Sequence, residues 1–87
     1  MVDILGQMSV TPDRLLVTIT GRDQLGITAE LTGVIMASDT TLLDVEQVVV
    51  QGQLTLCVLI APPSGRSERV LDALRATAAR MDLEFGL

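Results

Sequence analysis

The feature that most constrains this chain is a change of apolar period between Leu15 and Leu31. In LLVTIT, Leu15, Val17 and Ile19 alternate with Leu16, Thr18 and Thr20, a period of two rich in β-branched residues that marks a half-buried strand. After Ile27, Leu31, Val34 and Ile35 follow at i+4, i+7 and i+8, the apolar stripe of a helix. Between the two patterns lies Gly21-Arg22-Asp23-Gln24-Leu25-Gly26, where glycine lets the backbone turn tightly. A helix that starts from such a turn leaves its first N–H groups unpaired at the positive end of the macrodipole. That is a place to hold an anion, and an exposed carboxylate gains about 0.3–1 kcal/mol there. Asp23 adds an acceptor for an ammonium, so the turn suits an amino acid. A plainer reading uses the same residues: Gly26 makes the turn and Asp23 caps it.

The rest of the chain continues the alternation. The first helix is expected over about Ile27 to Ser38, ending before the turn-favouring Asp39-Thr40. Thr41 to Val50 are strand formers, Gln51-Gly52 makes a tight turn, and Gln53 to Ile60 form a second strand. Leu54, Leu56, Val58 and Ile60 alternate there with Thr55, Cys57 and Leu59, so both faces are apolar and the strand reads as central. The first strand of this hairpin has mixed faces, with Asp44, Glu46 and Gln47 before Val48-Val49-Val50, and reads as an edge. Pro62-Pro63-Ser64-Gly65 ends the hairpin. Arg66 to Met81 fits a second helix with Val70, Leu71, Leu74, Ala78 and Met81 inward and Arg69, Asp72, Arg75 and Arg80 mostly outward. Leu83, Phe85 and Leu87 then alternate in a short terminal strand.

Strand, helix, strand, strand, helix, strand with right-handed crossovers gives an α+β, ferredoxin-like βαββαβ sandwich. Its antiparallel sheet has order 4-1-3-2 and carries both helices on one face. The opposite face, with Leu16, Cys57 and Leu59, has no cover within the chain. An apolar edge strand leaves N–H and C=O groups open to another chain, so a homodimer through edge-strand or helix contacts is expected. Residues 1–14 read as an N-terminal arm and loop before a single domain over 15–87. Met1 to Gln7 lack the basic start and long apolar run of a signal peptide or membrane span.

Composition narrows the function. Eleven acidic residues against six basic ones give a net charge of -5, which repels phosphate backbones and anionic lipid surfaces. Nucleic acid and membrane are therefore not expected partners, and the single aromatic, Phe85, leaves nothing for bases to stack on. The lone Cys57 reads as a buried thiol in a reducing cytoplasm. Without histidine there is no metal cluster and no Ser/His or Cys/His pair. Arg22 could serve an acylphosphatase-type cradle, but that chemistry also needs an asparagine, which the chain lacks. No cofactor and no catalytic residue is expected in this chain.

Two motifs carry a resemblance. Thr20-Gly21-Arg22-Asp23-Gln24-Leu25-Gly26-Ile27-Thr28 matches T-G-x-D-x-x-G-[IV]-T, and Leu42 to Val49 match L-L-[DN]-V-E-Q-V-V. At this separation they resemble an ACT domain, in particular the amino-terminal ACT region of bacterial phosphoserine phosphatases. The resemblance implies the fold derived above, pairing of copies into a joint sheet, and an amino acid held at the seam. The implied ligand-binding set is Asp23, Gln24, Leu25, Gly26, Ile27 and Thr28 of one copy with Leu43, Asp44 and Val45 of its neighbour. L-serine is the implied ligand, as end product of serine biosynthesis and allosteric regulator. Two positions depart from the family: Leu25 stands where proline is frequent, and Asp44 where serine-binding relatives have asparagine. An ionised aspartate repels a ligand carboxylate and favours its ammonium. The phosphatase reaction uses a DxDxT motif with Mg²⁺, and no D-x-D occurs in the chain. The Mg²⁺ chemistry is thus implied for a longer parent enzyme. A free-standing ACT regulator or a ligand-free dimerisation module are the alternatives.

Overall fold

The computed structural model describes residues 14–87, so the expected arm over 1–14 lies almost wholly outside the described residues. The elements are β1 (Leu15–Arg22), α1 (Ile27–Ala37), β2 (Thr41–Val50), β3 (Gln53–Ala61), α2 (Ser67–Arg80) and β4 (Glu84–Gly86). They form one antiparallel sheet of order β2-β3-β1-β4, which is the ferredoxin-like order expected from the sequence. The expected helix limits hold to within one residue: Ser38 is the C-cap of α1, and Arg66 and Met81 are the caps of α2. No helix among the described residues is long and apolar enough to cross a membrane.

The core follows from the period-two alternation. Val17 and Ile19 of β1 and Leu54, Leu56, Val58 and Ile60 of β3 are fully buried against Leu31 and Ile35 of α1 and Val70 and Leu74 of α2. This core is entirely aliphatic; Phe85 packs against it only partly buried, with the Arg75 guanidinium 4.9 Å from its ring centre. The Gln51-Gly52 turn has positive φ at both residues, 54° and 78°, the geometry that matches the twist of a two-residue hairpin.

Three local features depart from the sequence reading. Gly21 belongs to β1, paired with Leu54, rather than to the turn. A Cβ there would lie 2.6 Å from Cδ2 of Leu83, and φ is 155°, so close packing and the strand's own backbone together ask for glycine. Cys57 is half-buried on the open face, because the residues that alternate with it take the core side. Leu83 is buried but precedes the terminal strand, and Leu87 is 69% exposed beyond it, so the strand is three residues long.

The pairing of β2 with β3 contains a bulge. Leu42 lies opposite Ile60 and Asp44 opposite Leu59, which leaves Leu43 as the extra residue. A bulge of this kind reverses which side chains point to which face. Downstream of it Val45, Gln47 and Val49 face the helices, opposite Val58, Leu56 and Leu54, while Asp44, Glu46 and Val48 face the open side.

Candidate functional site

The turn before α1 is held from three sides. The backbone N–H of Asp23 donates to the carbonyl of Gly52 at 2.8 Å, which ties the turn to the tip of the β2–β3 hairpin. The Gln24 side chain donates from Nε2 to the Met81 carbonyl at the end of α2, 2.9 Å away. Leu25 stands at the apex, 99% exposed. Gly26 is the N-cap residue of α1 in the left-handed region, φ 83° and ψ 4°, a conformation that costs a residue with Cβ roughly 1–2 kcal/mol. Its carbonyl accepts the first helical hydrogen bond, from Glu30 at 2.9 Å.

Among the described residues no side chain caps this helix end. The plainer sequence reading, with Asp23 as the cap, is therefore not the observed arrangement: the Asp23 backbone is engaged and its exposed carboxylate stays out of the cap. The first-turn N–H groups are left open toward a cavity of about 510 Å³. Asp23, Gln24, Leu25, Gly26, Ile27 and Thr28 all line it, joined by Ala29 and Gln47. Its chemistry is that of a holder: open N–H donors, the Asp23 carboxylate as acceptor, the Gln47 amide, and the buried Ile27 beneath. Among the described residues no nucleophile–base pair lines it.

Sequence reasoning missed two lining residues, Ala29 and Gln47, of which Gln47 brings the polar group. The Thr28 hydroxyl donates to its Oε1 at 2.8 Å and links the start of α1 to β2. Only the bulge at Leu43 turns Gln47 to the helix side. The same bulge turns Asp44 away, where its Oδ1 accepts from the backbone N–H of Val45 at 2.9 Å. Leu43 and Asp44 are exposed and Val45 packs against the core. Within one chain none of the three lines the cavity. Glu30 pairs with Arg80 of α2 at 3.2 Å and so places a screened carboxylate beside the helix start. Among the described residues no group of three His, Cys, Asp or Glu side chains gathers to hold a metal ion.

A family model described as the ACT domain matches residues 13–87. Phosphoserine phosphatase SerB2 of Mycobacterium tuberculosis is 44% identical over 69 residues, covering 79% of this chain and 15% of that protein. Phosphoserine phosphatase of Streptomyces coelicolor is 46% identical over 52 residues, covering 59% and 13%. The chain thus matches less than a sixth of either relative's length. Among solved structures, an ACT domain protein from Streptococcus pneumoniae superposes with a TM-score of 0.73 at 18% identity, covering 84% of each chain; that likeness shows the fold.

Proposed function

The chain belongs to the ACT domain family, and on that premise we propose that it is a regulatory, amino-acid-binding and dimerisation module whose ligand is L-serine. The observation that carries this reading is the uncapped start of α1 at Gly26, opening on a cavity that also presents Asp23 and Gln47. A zwitterion fits this pairing, its carboxylate on the helix N–H groups and its ammonium on Asp23. Leu43, Asp44 and Val45 of a second copy complete the site at the seam. The bulge supports their role, since it leaves Leu43 unpaired on an edge strand where a neighbouring chain can meet it.

Sequence identity to two phosphoserine phosphatases supports a place in a longer enzyme of that type, for which a cytoplasmic setting is our reading. In that setting serine is the product and the module senses it by feedback. The Mg²⁺-dependent hydrolysis is then the work of residues other than these 87.

A thermal melt of the chain with each of the twenty amino acids tests this. One site at tenfold saturation adds about 1.4 kcal/mol, which moves Tm by several degrees at this size. A shift selective for serine is expected. A shift for another amino acid would change the ligand but keep the site. A flat response from folded dimer would leave dimerisation alone as the function.

A further inference from the structure

We propose that the open face of the sheet seats an arginine or lysine side chain of a partner protein, in the depression between Leu16, Cys57 and Leu59 and the carboxylates of Asp44 and Glu46. These five residues line a cavity of about 200 Å³, on the side of the sheet opposite the helices. The strand register assembles it. Leu59 lies between Leu16 and Asp44 in one row across the sheet, and Cys57 beside Glu46 in the next. The bulge supplies the charge, because it turns Asp44 and Glu46, two residues apart on β2, toward this face.

Two like charges beside apolar surface, paired with no cation among the described residues, are the complement of a long cationic side chain. Such a side chain lays its methylenes on leucine and reaches the carboxylates with its head group. Among the described residues the ion pairs are Arg75–Asp72 and Arg80–Glu30, and neither involves these two carboxylates. Asp44 is oriented by its hydrogen bond from Val45. A second copy of this chain is a poor occupant. It brings its own net charge of -5, which opposes docking on a pair of carboxylates. The electrostatic share of such a contact sets partner choice more than tightness.

The test is an amide-shift titration of the ¹⁵N-labelled 87-residue chain with acetyl-Leu-Arg-Val-amide and with acetyl-Leu-Gln-Val-amide. The arginine peptide is expected to move the amides of Leu16, Cys57 and Leu59 and to bind about fivefold tighter than its neutral twin, the span of one good exposed ion pair. Glu46→Gln, which touches neither the core nor the turn cavity, should weaken the arginine peptide about two- to fivefold and leave the serine response unchanged. Equal binding of the two peptides, indifference to Glu46→Gln, or shifts confined to Asp23–Thr28 would overturn the proposal. So would free arginine amide binding as tightly as the peptide, or the same shifts appearing with chain concentration alone.

Discussion

Helix α2 turns Glu68, Arg69, Asp72, Arg75 and Arg80 to solvent, whereas α1 turns Ala29, Gly33, Met36 and Ala37 outward and carries Glu30 as its single charge. Their inner faces are alike: Leu31 and Ile35 of α1 and Val70 and Leu74 of α2 are all buried to within about 1%. Water therefore completes α2. The outer face of α1 is nearly uncharged, and its Met36 is 72% exposed. The comparison teaches that two helices with equally buried inner faces can differ wholly in what they turn outward, and that the one with the less charged outer face also carries the open turn.

The inner faces offer the strongest attack on this contrast. Ile35→Ala and Leu74→Ala should each cost about 2–5 kcal/mol in urea unfolding, as truncations that leave cavities do. A loss near zero for either would mean that the two helices are not equally anchored. On the outer faces the effects should diverge. Met36→Glu should weaken dimerisation more than about tenfold, or about 1.4 kcal/mol, by sedimentation. Ala76→Glu, on the wet side of α2, should change it within about 0.5 kcal/mol. Equal behaviour of the two substitutions would count against α1 as a contact of the proposed dimer.

At the start of α1, Gly26→Val should cost about 1–2 kcal/mol for the left-handed backbone and abolish ligand-dependent stabilisation, with the far-UV circular dichroism of the fold retained. Undiminished stabilisation in that variant would separate the turn from the site. The smallest effect joins the two helices. Arg80→Ala removes the pair with Glu30, whose side chains are 60% and 47% exposed, and should cost less than about 1 kcal/mol. Any difference should vanish in high salt, which a pair of urea curves at two salt concentrations would reveal.

Much of this architecture is readable from residue periods. The alternation at Val17-Ile19 and Leu54-Leu56-Val58-Ile60 reports one buried face directly, and the Gln51-Gly52 signal is local. The turn residues Asp23 to Thr28 were legible too, because a strand pattern and a helix pattern meet there. The bulge at Leu43 was not. It arises from how β2 registers on β3, a long-range match that no residue of LLDVEQ announces, and it decides the faces taken by Asp44, Glu46 and Gln47. Cys57 was misjudged for a related reason: an apolar residue in a central strand is buried on both faces only if both faces are covered.

The close approach of Gly21 to Leu83 carries an evolutionary consequence. Gly21 also sits at φ 155°, where a residue with a Cβ is strained whatever space surrounds it. A smaller residue at 83 would therefore open a void without releasing position 21. Glycine is held there twice, by its own backbone and by its neighbour, so drift at the seam between β1 and the end of α2 has to pass through position 83.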